Sequence, residues 1–325
     1  MADLKTSFLG IESPNPFWLA SAPPTDKAYN VNRAFEAGWG GAVWKTLGEA
    51  GPPIVNVSGP RYSALHSNER RVVGFNNIEL ITDRPLQTNL DEIKAVKRDY
   101  PDRAVIVSLM VPCEEDCWKS ILPQVEETGA DGIELNFGCP HGMSERGMGA
   151  AVGQVPEYIE MVARWCKQYS RMPVIVKLTP NITDIRYPAR AAKAGGADAV
   201  SLINTVSSIT SVNLDNFSPE PEIDGKGSHG GYCGPAVKPI ALNMVAEIAR
   251  DAETAGMPIS GIGGITNWRD AAEFIALGAG NVQVCTAAMT YGFRVVGEMI
   301  SGLNLWMDQQ DHQTLPISRA APFPT

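Results

Sequence analysis

One short joint recurs along this chain and limits the folds that it can adopt. A glycine ends a helical pattern and leads directly into an apolar run at residues 37–40 (Ala-Gly-Trp-Gly), 128–131 (Thr-Gly-Ala-Asp), 195–198 (Gly-Gly-Ala-Asp) and 277–280 (Leu-Gly-Ala-Gly). Glycine ends helices because it takes the left-handed conformation that closes the last turn. A helix end that is followed at once by a strand start indicates repeated β-α units.

Eight such units can be traced in the sequence. The strands are short apolar runs, as is typical of strands that are buried on both faces of a parallel sheet. We predict strands at Phe17–Ala20, Ala42–Lys45, Ala104–Leu109, Gly132–Asn136, Val174–Leu178, Ala199–Ile203, Pro258–Gly261 and Val282–Cys285. Apolar residues at three-and-four spacing predict helices at Val31–Ala37, Leu90–Tyr100, Trp118–Glu127, Pro156–Gln168, Ile185–Ala194, Val237–Ala255, Arg269–Leu277 and Phe293–Trp306.

Eight units without a linker-like break predict an α/β protein with one (β/α)8 TIM barrel. The length of 325 residues suits such a barrel, which commonly runs to about 200–400 residues. A doubly wound sheet is the alternative, but no Gly-x-Gly-x-x-Gly follows a predicted strand, which makes that fold less favoured. We assign residues 1–310 to the barrel and residues 311–325 to a C-terminal tail.

Two segments, Leu47–Thr88 and Val206–Gly234, are longer than a barrel requires. Loops of this length are commonly functional. Each segment follows a predicted strand, so we expect long loops on the C-terminal face, where enzymes of this fold hold their active sites.

Charge and composition exclude several classes of protein. The formal net charge is −9, whereas nucleic acids and anionic membranes attract basic faces. The N-terminus lacks the apolar core of a signal peptide, and no apolar run approaches the ~18 residues of a membrane span. Only Cys113 and Cys117 lie close in sequence, and nothing nearby completes a set of metal ligands. We therefore expect a soluble, cytoplasmic protein with reduced thiols and no metal site.

Polar residues and glycines gather where the predicted strands end. Lysine and asparagine are costly at the ends of apolar strands unless they meet partners. Because the carboxyl ends of barrel strands lie on one rim, we expect these residues to form a single pocket. In chain order the candidate residues at the strand ends are Ala20, Ser21, Lys45, Thr46, Asn136, Cys139, Lys177, Asn204, Thr205, Gly263, Gly264, Cys285 and Thr286.

Part of this rim indicates a phosphate site. Gly263-Gly264 after the seventh strand and Cys285-Thr286 after the eighth match the place where barrels bind phosphate through backbone N–H groups. Without a dinucleotide fingerprint or a Walker loop, a mononucleotide is the predicted ligand. Lys45 and Lys177 suit the electron-rich edge of a reduced flavin. A Schiff-base lysine is the competing interpretation, but it leaves Cys139 and the asparagines without a role.

The end of the fourth strand predicts the reactive part of the pocket. A buried strand there presents Asn136 and Cys139 to a loop that is rich in Gly and Met. A carboxamide offers both a donor and an acceptor to a cyclic amide. A thiol, whose ordinary pKa is ~8.5, suits proton transfer to or from carbon. A buried cysteine that acts as a small hydrophobic residue is the alternative.

The sequence resembles the flavin barrel of the dihydropyrimidine dehydrogenase family, within the dihydroorotate dehydrogenase superfamily, from about Asn15 to Trp306. The loop from His141 to Gln154 is more similar to the pyrimidine-reducing members than to the dihydroorotate enzymes. The matching stretches are residues 15–22, 38–46, 77–80, 139–143, 145–149, 177–181, 204–207 and 239–242.

This resemblance implies a flavin-dependent, reversible reduction of the 5,6 double bond of uracil or thymine. It implies that Cys139 exchanges a proton with carbon 5 of the pyrimidine. It assigns substrate binding to Asn77, Asn136, Asn204 and Thr205. It assigns FMN binding to Ala20, Ser21, Lys45, Thr46, Lys177, Gly234, Gly263, Gly264, Cys285 and Thr286. Dihydroorotate or another cyclic amide is the alternative substrate, although the carboxylate of dihydroorotate would favour an additional cation.

The sequence departs from the family in three respects. Gly138 and Cys233 each replace a usual serine, beside the catalytic cysteine and before Gly234. The bacterial catalytic subunit usually continues into a ferredoxin-like segment, but no Cys-x-x-Cys-x-x-Cys run occurs here. We therefore expect iron–sulfur clusters, FAD and NAD(P)H only on a C-terminal segment missing from this sequence or on a partner subunit. A homodimer is common among the relatives, so we expect a homodimer or a hetero-oligomer.

Overall fold

The centre of the molecule is a closed barrel of eight parallel strands, as shown by a computed structural model that describes residues 2–48, 56, 59, 61–68, 71–140, 147–223, 226–227 and 229–315. The strands are β1 (Phe17–Leu19), β2 (Gly41–Leu47), β3 (Ala104–Leu109), β4 (Gly132–Asn136), β5 (Val174–Lys177), β6 (Ala199–Leu202), β7 (Ile259–Ile262) and β8 (Ala279–Val284). They follow one another in chain order around the ring, and β8 pairs with β1 to close it. The predicted (β/α)8 barrel is confirmed.

Helices alternate with these strands and cover the outside of the barrel. They are α1 (Ala28–Ala37), α2 (Leu86–Asp99), α3 (Glu115–Glu126), α4 (Ala150–Gly153), α5 (Pro156–Tyr169), α6 (Arg186–Ala194), α7 (Lys238–Arg250), α8 (Trp268–Ala276), α9 (Thr286–Tyr291) and α10 (Val295–Gln309). The short helices α4 and α9 are additional to the eight predicted ones. Short 3₁₀ turns lie at Pro23–Thr25, Pro235–Val237 and Ala252–Thr254.

One predicted helix is shorter than its sequence pattern indicates. The apolar spacing predicts a helix to Ala255, but α7 ends at Arg250. Asp251 takes an extended conformation, and its side chain accepts a hydrogen bond from the backbone N–H of Thr254 at 3.1 Å. This cap starts a separate 3₁₀ turn, because aspartate competes well for backbone donors at a helix start.

An amino-terminal hairpin of strands Thr6–Phe8 and Ile11–Ser13 closes one end of the barrel. Phe8 and Ile11 of this hairpin belong to a buried apolar cluster with residues of five barrel strands. The ring of Phe8 meets the ring of Trp18 edge-on, with 5.8 Å between the centroids. A larger apolar core lies between the strands and the surrounding helices.

The two long segments form one sheet over the other end of the barrel. Strands Tyr62–His66 and Val72–Asn77 come from the first segment, and Val206–Ser208 and Gly230–Cys233 come from the second. They pair antiparallel, with Gly231 opposite Asn77. We call this four-stranded sheet the cap sheet. The second segment also contains short paired strands at Val212–Asn213 with Ser218–Pro219, and Glu222–Ile223 with Lys226–Gly227.

The predicted C-terminal tail and the absence of a predicted membrane span remain to be compared with the structure. Residues 316–325 of the predicted tail lie outside the described residues, so the boundary at residue 310 stays a prediction. In the described part of the chain, none of the helices combines the length and the apolar character that crossing a bilayer requires.

The repeated Gly-Ala-Asp joint has a structural basis that the pattern alone does not reveal. Asp131 Oδ2 accepts hydrogen bonds from the Val105 backbone N–H at 2.8 Å and from Lys97 Nζ at 2.7 Å. Asp198 Oδ2 accepts the equivalent bonds from the Val174 N–H and from Lys167 Nζ, both at 2.7 Å. Each aspartate therefore ties the start of its own strand to the start of the preceding strand and to the helix before that strand.

We expect Asp198→Ala to lower the free energy of unfolding by about 1–3 kcal/mol, because two charge-assisted hydrogen bonds are lost at once. Urea denaturation of the purified protein measures this change. The control is Asp99→Ala, which removes an exposed ion pair with Arg98 at 2.8 Å and should leave the midpoint unchanged. Equal midpoints for Asp198→Ala and the wild type would contradict a structural role for the joint.

Candidate active site

One cavity lies between the carboxyl ends of the barrel strands and the cap sheet. It encloses about 1100 Å³, including the part that is open to solvent. All predicted site residues contribute to its wall: Ala20, Ser21, Lys45, Thr46, Asn77, Asn136, Cys139, Lys177, Asn204, Thr205, Gly234, Gly263, Gly264, Cys285 and Thr286. The expectation of a single pocket is confirmed, whereas the role of each residue stays a prediction.

A chain of hydrogen bonds fixes the polar side chains of one wall. Asn136 Nδ2 donates to Thr46 Oγ1 at 2.9 Å, and Asn204 Nδ2 donates to Asn136 Oδ1 at 3.0 Å. The backbone N–H of Thr205 donates to Asn204 Oδ1 at 2.8 Å. These contacts set the orientation of both carboxamides. Among the described residues, one N–H of Asn136 and one of Asn204 have no acceptor, so both remain available as donors to a ligand.

The cap sheet supplies the opposite wall. Asn77 Nδ2 donates to the carbonyl of Gly231 at 2.8 Å, and the two residues face each other in the sheet. A Cβ atom on Gly231 would lie 2.1 Å from Thr205 Oγ1. Glycine at position 231 therefore lets Thr205 lie against the cap sheet and keeps the two walls together.

Both predicted lysines are buried and paired with carboxylates. Lys45 Nζ contacts Glu79 Oε1 at 2.5 Å, and Arg61 Nη1 contacts the same oxygen at 3.2 Å. Lys177 Nζ lies 3.3 Å from Glu134 Oε1. The sequence reasoning missed both glutamates as site residues. The available signal was a charged residue inside an otherwise apolar strand for Glu134, and the matched stretch 77–80 for Glu79.

Glycines build the end of the cavity where a phosphate is predicted. Gly263 and Gly264 have φ angles of 131° and 70°, and Gly234 has 102°, which is a conformation that other residues rarely adopt. A Cβ atom on Gly264 would lie 2.9 Å from the carbonyl oxygen of Gly234. The backbone N–H groups of Gly263 and Gly264 donate no hydrogen bond within the described part of the chain. This end therefore offers close backbone approach and available donors, as an anionic group requires.

Asp270 holds the loop that follows these glycines. Its Oδ2 accepts hydrogen bonds from the backbone N–H and the hydroxyl of Thr266 at 2.8 and 2.7 Å. Its Oδ1 accepts from Lys238 Nζ at 2.7 Å. Burial raises the pKa of Asp270, but the hydrogen bonds from Lys238 and Thr266 outweigh burial and leave the pKa below its usual value.

Cys139 lies at the cavity in a supported loop. Its side chain is 8% exposed and clusters with Ile81, Met110 and Met148. Its carbonyl accepts a hydrogen bond from the Ala150 backbone N–H at 3.0 Å, which anchors it to the start of α4. His229 Nε2 lies 3.2 Å from the carbonyl oxygen of Pro140. Residues 141–146, which the resemblance includes, lie outside the described residues.

The other two cysteines at the cavity have a different environment. Burial raises the pKa of Cys285 to about 12, and its Sγ lies 3.6 Å from Met289 Sδ. Burial also raises the pKa of Cys233, whose thiol points to the carbonyl of Phe75 at 3.6 Å. Both thiols therefore stay protonated at neutral pH and suit binding or packing rather than proton transfer.

Steric contact with Asn204 explains why position 138 is a glycine. A Cβ atom at this position would lie 2.3 Å from the Cβ atom of Asn204. Glycine at position 138 thus allows Asn204 to lie directly against the backbone beside Cys139.

Comparisons with known proteins agree with this arrangement. Residues 3–307 match the family model of dihydroorotate dehydrogenase. The NAD-dependent dihydropyrimidine dehydrogenase subunit PreA of Escherichia coli (strain K12) is 44% identical over 96% of this chain and 75% of that protein. The chloroplastic dihydropyrimidine dehydrogenase (NADP(+)) of Arabidopsis thaliana is 41% identical over the same shares. The crystal structure of DHODH from Eimeria tenella in complex with ferulenol matches this structure with a TM-score of 0.76 at 20% identity. The match covers 95% of this chain and 85% of that one, and it supports the fold.

We expect Asp270→Asn to lower the free energy of unfolding at neutral pH, and the difference from the wild type to shrink as the pH falls below about 4. The pKa of Asp270 is lower in the folded protein, so its stabilisation is present above the pKa of the unfolded chain and is lost on acidification. Urea titrations over a pH series measure the difference. The exposed Asp91→Asn serves as the control, and a difference that persists at low pH would contradict the assignment.

Proposed function

The chain belongs to the dihydroorotate dehydrogenase family, and we propose that this oxidoreductase uses FMN to reduce, reversibly, the 5,6 double bond of uracil or thymine. The relatives named dihydropyrimidine dehydrogenase, which match 96% of the chain at 41–44% identity, support a pyrimidine substrate. The finer choice of substrate rests on the cavity itself.

The observation that carries this proposal is the charge balance of the cavity wall. Asn136 and Asn204 line the cavity, and each keeps one side-chain N–H without an acceptor among the described residues. Such donors suit the neutral carbonyl groups of uracil or thymine. Lys45 is already paired with Glu79. The carboxylate of dihydroorotate would therefore have to compete with a buried glutamate for this cation, which is costly in a desolvated site.

The residues of the cavity fit FMN. The glycine loops offer close approach and available N–H donors to a phosphate. Lys177 and Lys45 line the cavity and offer positive charge to an electron-rich ring. FMN would be held by Ala20, Ser21, Lys45, Thr46, Lys177, Gly234, Gly263, Gly264, Cys285 and Thr286.

Reduction of the double bond adds a hydride to carbon 6 and a proton to carbon 5 of the pyrimidine. Bound FMN would supply the hydride. The Cys139 thiol donates the proton to carbon 5, and the resulting thiolate regains a proton from solvent. Asn77, Asn136, Asn204 and Thr205 hold the ring edges so that carbon 5 faces the sulfur. In the oxidative direction, the Cys139 thiolate removes the same proton.

Electrons for this reaction would come from a partner subunit that carries FAD and an NAD(P)H site. Similarity to a protein that is named as a subunit, PreA, supports this part of the proposal. Iron–sulfur clusters would lie on the same partner or on a further segment of the polypeptide, since this sequence contains no Cys-x-x-Cys-x-x-Cys run.

We expect dihydrouracil, added without oxygen, to bleach the visible absorbance of the flavin-loaded protein, and dihydroorotate to bleach it far more slowly. The reason is that a neutral ring avoids competition with Glu79 for Lys45. Stopped-flow absorbance measures both rates. NADH alone is the control reductant and should bleach the flavin slowly. Faster bleaching by dihydroorotate would assign the chain to that substrate instead, and a purified protein that takes up no flavin would refute the proposal.

We expect Cys139→Ala to keep its flavin and to lose turnover of uracil by ~10²–10⁴-fold, which is the contribution of a positioned proton donor. Steady-state kinetics with the partner or an artificial electron donor measure the loss. Cys113→Ala is the matched control, because Cys113 lies before α3 and outside the cavity wall. Wild-type turnover in Cys139→Ala would remove this thiol from the mechanism.

A further inference from the structure

A carboxylate lies beneath the cavity floor, where the chemistry proposed above gives it no role. Glu134 on β4 is 0% exposed. Its Oε2 accepts hydrogen bonds from Ser201 Oγ at 2.8 Å and from Gln283 Nε2 at 3.0 Å. A buried carboxylate is expensive to desolvate, so a fold that retains one has to compensate its charge.

Ser201 and Gln283 both donate to Oε2 of Glu134, which leaves the other carboxylate oxygen, Oε1, facing Lys177. Glu134 Oε1 has no hydrogen-bond partner in the described part of the chain and lies 3.3 Å from Lys177 Nζ. Because Oε2 is fixed by Ser201 and Gln283, the carboxylate cannot turn away from the ammonium. Gln283 is itself held by Ser260, to which its Nε2 donates at 3.1 Å.

The two lysines of the cavity therefore differ in charge balance. Glu79 contacts a second cation, Arg61, in addition to Lys45. Glu134 faces Lys177 with one negative charge against one positive charge. The positive potential at the cavity floor is consequently offset by a carboxylate that a ligand in the cavity cannot displace, since Glu134 is fully buried.

We propose that Glu134 is a positioning residue that holds Lys177 at the cavity floor and restrains how readily the flavin is reduced. The inference rests on the flavin-dependent function proposed above. Reduced flavin carries more negative charge than oxidised flavin, so a fixed negative charge under Lys177 disfavours the reduced form. Removal of that charge makes the flavin easier to reduce.

The test compares four forms of the flavin-loaded protein: the wild type, Glu134→Gln, Lys177→Met and the double variant. Equilibration with a redox dye gives the ratio of reduced to oxidised flavin at a fixed potential. We expect Glu134→Gln to raise this ratio by about tenfold, which is a shift of about 30 mV for a two-electron couple. Lys177→Met should lower the ratio of reduced to oxidised flavin. The double variant should return towards the wild-type ratio, because the side chains at positions 134 and 177 carry no net charge in either protein.

Glu92→Gln is the matched control. Glu92 is also a carboxylate in an ion pair, with Arg84, but it lies on α2 and outside the cavity wall. The ratio of reduced to oxidised flavin in Glu92→Gln should equal that of the wild type. A merely structural role for Glu134 would lower stability in Glu134→Gln without moving the ratio.

The outcomes separate this inference from the function on which it rests. An unchanged ratio in Glu134→Gln, in a protein that dihydrouracil still bleaches, overturns the inference alone. If Glu134→Gln does not fold, Lys177→Met and the double variant carry the test, and identical ratios in those two overturn the inference. A chain that takes up no flavin overturns both proposals.

Discussion

The closure of eight parallel strands into one ring is the constraint on which the rest of the structure depends. Each strand of the ring has a neighbour on both sides. The outer backbone hydrogen bonds of β1 and β8 are satisfied only because these two strands pair with each other. Closure also places the carboxyl ends of all eight parallel strands on one rim. Residues as far apart in sequence as Thr46 and Asn136 thereby come within 2.9 Å of each other. A local sequence change cannot move one of these side chains without disturbing its neighbours around the ring.

The same closure explains why charged residues are tolerated inside the barrel. Lys177 lies opposite Asn136 on one neighbouring strand and Ser201 on the other, so polar partners come from both sides. A buried ion pair gains little net stability, because desolvation offsets most of the attraction. Its retention at the cavity floor is better explained by the chemistry proposed for the cavity.

Local patterns predicted the fold well and the site in part. Strand and helix positions follow from apolar periodicity, which is a property of neighbouring residues. The strand-end residues could be grouped because a barrel rim is a consequence of that fold. Asn77 and Gly234 were predicted as site residues only from the resemblance. Their position at the cavity depends on pairing between strands more than 150 residues apart, as the contact between Asn77 and Gly231 shows. Glu79 and Glu134 were missed for a related reason, because sequence spacing does not identify the partner of a buried charge.

Gly138 shows how a single missing Cβ atom determines where a neighbouring side chain of the cavity lies. In this chain the Asn204 side chain occupies the space that a serine side chain would need, 2.3 Å from the position of its Cβ atom. A serine at position 138 of this chain would require Asn204 to lie further from the backbone. Here the carboxamide is instead fixed between Asn136 and Thr205. For the substrate proposed above, this edge presents an amide N–H donor rather than a hydroxyl that can both donate and accept. Such a donor favours a carbonyl group and disfavours a ring N–H at the same place, so the proposed pyrimidine substrate would place a carbonyl group at this edge.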